Sequence, residues 1–284
     1  NYSIATAGEQ TAALIRGERG DYFSAQFSNL GSLRIQYWLY GVDNAVLGNG
    51  TVSPETPTYH LPKLPAAGTY LLIMRAQSAP ASWTLAIEKA RSLAIDGVAS
   101  AIDTATAGQQ KRLTFEPAAG VPLGLGLADR AVPTNWGNAS VYVYDANSAQ
   151  VGHQYCEQAK SGCALNLSGL GAGTHTLVVI PASSGTRMLC FDASLSTDQV
   201  HALARDTAIT LAIARRGQNA RLSFAGAAGE VLALQVAGQV TVPASRNVYF
   251  RVTGPDGTTV ASSGAVAGAT LNLSLPAAGN YQVL

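Results

Sequence analysis

The sequence predicts an all-β chain of three tandem antiparallel β-sandwiches, Ig-like or jelly-roll-like, with the third incomplete. Three observations predict it: strands of period two set off by turn residues, two motifs that recur along the chain, and a composition poor in charge. Charged residues are 12% of the 284 and apolar residues 47%, about half the charge content usual for soluble domains. Gly, Ala, Ser and Thr take the place of charged surface, as in extracellular β-modules. A chain this apolar is not disordered, and its length supplies two or three cores.

Internal repetition sets the divisions. Ala107-Gly108-Gln109-Gln110-Lys111-Arg112-Leu113-Thr114-Phe115 returns as Arg216-Gly217-Gln218-Asn219-Ala220-Arg221-Leu222-Ser223-Phe224. Ala118-Ala119-Gly120 with Leu123, Leu125 and Leu127 returns as Ala227-Ala228-Gly229 with Leu232, Leu234 and Val236. The offset of 109 residues from Gly108 to Gly217 still holds from Val151 to Val260. A second motif closes each unit. Leu64-Pro65-Ala66-Ala67-Gly68-Thr69-Tyr70 recurs as Leu275-Pro276-Ala277-Ala278-Gly279-Asn280-Tyr281, and more loosely as Leu170-Gly171-Ala172-Gly173-Thr174-His175. The predicted domains are 1–91, 92–203 and 204–284. In the divergent first unit, Gly20-Asp21-Tyr22-Phe23 is read as the counterpart of the Gly-Gln start.

Within the units the period is that of strands. Leu33–Tyr37, Leu113–Phe115 and Leu271–Leu275 alternate apolar and polar residues, one face for a core and one for water. Val141–Tyr144 and Val248–Val252 are β-branched and aromatic. Gly254-Pro255-Asp256-Gly257 presets a type I turn. No segment carries a convincing helical stripe, and short strands between turns point to antiparallel sandwiches. The linkers Glu88–Arg91 and Ser196–Gln199 are short, so neighbouring units are expected end to end. After Tyr281 the third unit has no counterpart of the strands at Trp83–Ile87 or Leu189–Phe191. An open sheet edge is expected there, with the natural polypeptide continuing past Leu284.

The three cysteines all fall in the middle unit. Cys156 and Cys163 are read as the two feet of a hairpin loop, placed for a disulfide worth about 2–3 kcal/mol on the loop-entropy account. A disulfide implies an oxidising compartment. The competing reading, a metal site of His153, Cys156, Cys163 and His175, has a ligand-like spacing at His153 and Cys156, but its wider pattern matches no zinc module and it is disfavoured. Cys190 is either a small apolar residue or a partly exposed thiol that pairs with another chain.

Little else points to chemistry, and no cofactor is expected. His175 stands in the slot of Tyr70 and Tyr281, and His60 in that of Asn166 and Asn272. His153 and His201 fall in a loop and near a linker. No nucleophile elbow, His-Glu-x-x-His helix or phosphate-binding loop is present, and Gly169–Gly173 reads as turn glycine. Asp43-Asn44, Asp145–Asn147 and Asp256-Gly257 are oxygen-rich enough to suggest calcium, but Asx turns account for them. Trp38, Tyr40, Trp136, Tyr142 and Tyr144 suggest a sugar-stacking platform, but most are assigned to core or cross-strand packing. Trp136, in a polar, turn-rich loop, is the candidate ligand contact. The net charge of +1 and scattered Lys and Arg argue against nucleic acid. No apolar run approaches a membrane span.

On Gly217–Phe224 with Ala227–Gly229, and on Leu275–Tyr281, the chain resembles bacterial pre-peptidase C-terminal-like β-sandwich modules. The first unit, with Gly20–Phe23 and Ala67–Leu72, is nearest that pattern. The resemblance spans essentially the whole chain. It implies a repeat segment of a large secreted or cell-surface protein, such as those with YD-repeat (Rhs-type) toxins. A non-catalytic structural, adhesive or spacer array is expected. Its partners would be other domains of the same longer chain, with a cell-surface glycan or protein as a further partner. The competing expectation is a carbohydrate- or protein-binding accessory module of a secreted hydrolase. An enzymatic role would need a site assembled from residues distant in sequence.

Overall fold

The computed structural model describes residues 1–6, 8–130, 137–157, 162–182, 187–242 and 244–284. They contain strands and no helix, and no sheet closes into a barrel. Contacts divide the chain into two compact units, Asn1–Ser196 and Thr197–Leu284.

The first unit holds two sandwiches. In the first, one sheet has the order β1 (Tyr2–Ile4), β8 (Ala81–Lys89), β3 (Phe23–Ser28), β6 (Thr58–His60). The facing sheet runs β2 (Thr11–Gly17), β7 (Gly68–Ala76), β4 (Ile35–Tyr40), β5 (Val46–Val52). Alternation explains the core: on β4, Ile35, Tyr37 and Leu39 are buried while Gln36, Trp38 and Tyr40 stay half-exposed. The inward residues meet Phe23, Phe27, Tyr70, Leu72 and Trp83 from the other strands.

The second sandwich repeats the plan. β10 (Ser100–Asp103), β17 (Cys190–Thr197), β12 (Leu123–Asp129) and β15 (Gly162–Leu167) form one sheet. β14 (Gln150–Cys156), β13 (Ala139–Tyr144), β16 (His175–Pro181), β11 (Lys111–Phe115) and β9 (Arg91–Ser92) form the other. One residue, Ala90, separates β8 from β9. β9 adds to β11 in parallel, Arg91 opposite Leu113 and Ser92 opposite Thr114. The strand that closes one sandwich thus runs on to edge the next.

The second unit has a five-stranded sheet of β18 (Gln199–Ala202), β19 (Ala220–Gly226), β24 (Gly279–Val283), β21 (Val248–Thr253) and β22 (Thr259–Ala265). β18 pairs with β19 in parallel as β9 does with β11, so Gln199–Ala202, read from sequence as part of 92–203, bonds within the third sandwich. Asp198, just before β18, is buried and takes hydrogen bonds from Asn219 N (3.0 Å) and Arg221 Nε (2.7 Å). The facing sheet has two described strands, β20 (Val231–Ala237) and β23 (Gly268–Ser274). Its core is correspondingly small: Phe224, Val252, Leu271, Leu273, Leu275, Tyr281 and Val283.

The two recurring motifs have one physical cause, because they touch. The amides of Gly20, Gly120 and Gly229 donate to the carbonyls of Leu64, Leu170 and Leu275 at 2.8, 2.9 and 2.8 Å. All three glycines have positive φ (94°, 74° and 77°), where a side chain is strained, and all three leucines are buried. The Tyr70 hydroxyl donates to Ala66 O, and that of Tyr281 to Ala277 O, both at 2.6 Å. This is a tyrosine that pins its own upstream turn.

This geometry corrects one alignment. Gly20 belongs with Gly120 and Gly229, not with the Gly-Gln starts at Gly108 and Gly217. The first sandwich's start is Gly8-Glu9-Gln10: Gly8, Gly108 and Gly217 have φ of 84°, 77° and 81°. The amides that follow them, of Glu9, Gln109 and Gln218, bond back to Thr6, Thr106 and Arg215.

Candidate functional site

The cysteine pair resolves the metal question. Cys156 and Cys163 are joined in a disulfide with Cα atoms 5.1 Å apart, so neither thiolate is free for a metal. The local setting differs from the expected hairpin, since β14 and β15 lie in different sheets. The bond therefore clips a crossover between the two layers. At the same crossover the first sandwich places Val52 and the third Ala265, as the pairings Ile35–Val52, Ala139–Cys156 and Val248–Ala265 show. His153 stacks on Tyr142 at 4.6 Å, and His175 is buried beside Phe115 with Nδ1 3.0 Å from Gly173 O. Cys190 is buried and outside the disulfide. Burial, reinforced by the neighbouring Asp103 carboxylate, raises its thiol pKa.

The three Asp turns are of one kind. Asp43 Oδ1 accepts from Ala45 N (3.1 Å), Asp145 Oδ1 from Asn147 N (2.9 Å) and Ala149 N (2.8 Å), and Asp256 Oδ1 from Thr258 N (3.0 Å). Asn44, Ser148 and Gly257 hold the left-handed corner at φ of 62°, 67° and 80°. This is a type I turn followed by a left-handed residue. One carboxylate oxygen of each Asp that suggested calcium is used in forming these turns.

A polar cluster that sequence reading missed lies between the first two sandwiches. Ser24 Oγ is 2.7 Å from His60 Nδ1 across the β3–β6 pair. Beside them Gln26 donates to Gln110 O (2.7 Å), Thr58 Oγ1 donates to Gln26 Oε1 (2.6 Å), and Gln110 N donates to Thr58 Oγ1 (3.0 Å). Arg112 reaches from β11 to Leu61 O at 2.6 Å and lies over the Tyr22 ring. Lys111 pairs with Glu88 at 2.6 Å. Burial drops the Arg112 pKa to about 10, against an upward pull from Tyr22, Tyr59 and Tyr144. Burial and then Arg112 hold His60 at about 3, against a smaller upward pull from Gln110. A serine and a neutral histidine at hydrogen-bond distance have the composition of an activated nucleophile. Here Ser24 is buried, and the nearby cavity of about 30 Å³, lined by residues such as Glu88, Lys111 and Arg112, has room for one or two waters. The pair joins strands at a domain boundary. The one sequence signal for it was His60 in a slot that the other units fill with Asn.

The described aromatic residues assigned to core or cross-strand packing sit on outer sheet faces, where the cross-strand part of the expectation holds for Tyr142 and the core part does not hold. Trp38 is half-exposed, with the Arg75 guanidinium 5.9 Å from its ring and bonded to Gln36 Oε1 at 2.7 Å. At the matching positions of β13, Tyr142 and Tyr144 are half-exposed with centroids 6.4 Å apart, and Tyr155 accepts from Asn138 Nδ2 at 2.9 Å. On β21, Tyr249 is 75% exposed. Tyr142 does pack across strands, on His153 as above. Trp136 lies outside the described residues. No helix among the described residues is long and apolar enough to cross a membrane. Comparison of the chain with protein-family models and with curated proteins found no match in either.

Proposed function

We propose that the chain is a non-catalytic spacer or adhesive array, a segment of a large secreted or cell-surface bacterial protein of the kind with pre-peptidase C-terminal-like repeats. The observation that carries the reading is the junction: β9 is a strand of the second sandwich, reached from β8 through one residue. A spacer needs modules held at a fixed step, and a hydrogen-bonded linker provides this where a Gly/Ser tether does not. The disulfide is compatible with an oxidising compartment, and secretion is part of the proposal.

Limited trypsin digestion tests it. Lys89 and Arg91 are exposed, so a flexible linker would be cut there first. The spacer reading expects cleavage at this junction only on global unfolding, and rapid cleavage in the native state would refute it.

The half-exposed aromatic faces favour a second reading, a glycan- or protein-binding accessory module. Glycan and protein arrays decide between the two. Binding lost in Trp38→Ala or Tyr142→Ala supports the accessory module, and silent arrays with a protected junction support the spacer.

A further inference from the structure

The sheet of β20 and β23 stops at β20, whereas the matching edge is occupied in both other sandwiches. β3 lies between β6 and β8, and β12 between β15 and β17; among the described residues β20 pairs with β23 alone. Register fixes the equivalence. Ser24 faces His60, Gly124 faces Asn166 and Ala233 faces Asn272. Leu232, Leu234 and Val236 therefore stand where Leu123, Leu125 and Leu127 stand. The latter three are buried, whereas the former are only partly covered, and Val231 is 74% exposed. Native sheets protect a free edge with charge, Pro or a bulge. β20, Val-Leu-Ala-Leu-Gln-Val-Ala, has no charged residue and no Pro, and pairs with β23 in unbroken register.

A separate segment points to the same gap. Thr207-Ala208-Ile209-Thr210-Leu211-Ala212-Ile213-Ala214 alternates like a strand yet forms none. The 109-residue offset matches its centre to β10, which pairs with β17 and not with β12. Ile102 of β10 is buried, whereas its counterpart Leu211 is only half-buried and the flanking Ile209 and Ile213 are exposed. Among the described residues no second strand pairs with β20 and none pairs with residues 209–212, where Ala212 O accepts from the Gln199 side chain at 2.7 Å.

We infer that the β20 edge is a docking site for one extended strand of this repeat's own closing type, antiparallel to β20 and apolar at alternate positions. Its models are β8, with nine residues, and β17, with eight. Main-chain groups of β20 supply affinity and alternate side chains supply register, as in strand addition generally. In the first sandwich Leu85 faces Phe27 and Ile87 faces Ala25, so a docked strand presents apolar residues opposite Val236 and Leu234. Its far edge then orders residues 209–212 as a strand, as β17 does for β10.

The test appends the Met74–Lys89 sequence to the full chain after Leu284, continuing β24 in the register that matches Tyr281 to Tyr70. Tethering raises the effective concentration enough that weak affinity cannot mask docking. The control carries the same residues with Ala81–Lys89 scrambled. Hydrogen exchange should slow about tenfold or more in both β20 and 207–214 with the authentic sequence alone, while β19 and β24 amides, unchanged, report an intact fold. Three outcomes overturn the inference: no slowing with the authentic sequence, equal slowing with the scrambled one, or slowing of β20 but not of 207–214. Sedimentation equilibrium of the unfused chain covers the competing occupant, since a dimer with β20 already protected would assign the edge to self-pairing.

Discussion

Replacing His60 by Asn should make the stability of residues 1–196 far less sensitive to mild acid. In the folded chain His60 is neutral and held at about 3, against 6.5 for a free imidazole. The unfolded chain therefore binds a proton that the folded chain refuses throughout the window from about 6.5 down to 3. The stabilisation is complete above that window and is lost as pH falls through it. Each pH unit below 6.5 costs about 1.4 kcal/mol, so this one group removes about 2 kcal/mol between pH 7 and pH 5. Stopping at pH 5 keeps most carboxylates ionised. The charged group that acts on His60 is Arg112 from β11, and the Glu88–Lys111 pair lies one strand further on, across Ser24. Asn is a tested occupant of the slot, being residue 166 and residue 272 in the sister sandwiches. Urea titrations followed by tryptophan fluorescence give the comparison, since Trp38, Trp83 and Trp136 all precede residue 197. If His60→Asn lost as much stability between pH 7 and pH 5 as the parent chain, the buried neutral imidazole would not be the source.

The turn-pinning hydroxyl should be worth about 0.5–1.5 kcal/mol in the first and third sandwiches, because Tyr→Phe removes one hydrogen bond to a carbonyl at a half-buried or exposed turn residue. Tyr70→Phe is read by the same urea titration, and Tyr281→Phe by exchange of β24 amides. Cys156→Ala with Cys163→Ala should cost about 2–3 kcal/mol on the loop-entropy account, and the parent chain under reductant should fall by a similar amount. Ser148→Gly should stabilise by roughly 0.5–1 kcal/mol, because Gly relieves a left-handed corner, and a cost instead would mean the Ser side chain does more than fill the turn.

Fold class was legible because it follows from local rules that this chain obeys. Alternation on β4 and β13 and the Gly-Pro-Asp-Gly turn specify strands without reference to anything distant, and the 109-residue offset then divides those strands into units. The disulfide was legible for the same reason, since its cysteines are close in sequence. Its role was not, because a crossover between sheets and a hairpin within one sheet have the same spacing. Gly20 was misaligned because glycines at different turns look alike in sequence, and only the bond from Gly20 N to Leu64 O tells them apart. The Ser24–His60–Arg112 cluster joins residues from β3, β6 and β11, and its burial comes from the meeting of two sandwiches, which no local pattern encodes. The outer aromatics were legible in part: Tyr142 makes the expected cross-strand contact on His153, but Trp38 looks like core by size, and only its place in the alternation, out of phase with Ile35, sends it outward.

The junction at Ala90 has a consequence for how such chains are cut and lengthened. Because β9 bonds into the sheet of the sandwich after it, the inheritable module opens on its connector, and an excised second sandwich should start no later than Arg91. Phase matters as well as position. Side chains on β9 alternate between faces, so a single inserted residue would turn its pairing residues over, whereas two would restore their facing. Viable insertions and deletions at this joint should therefore come in even numbers.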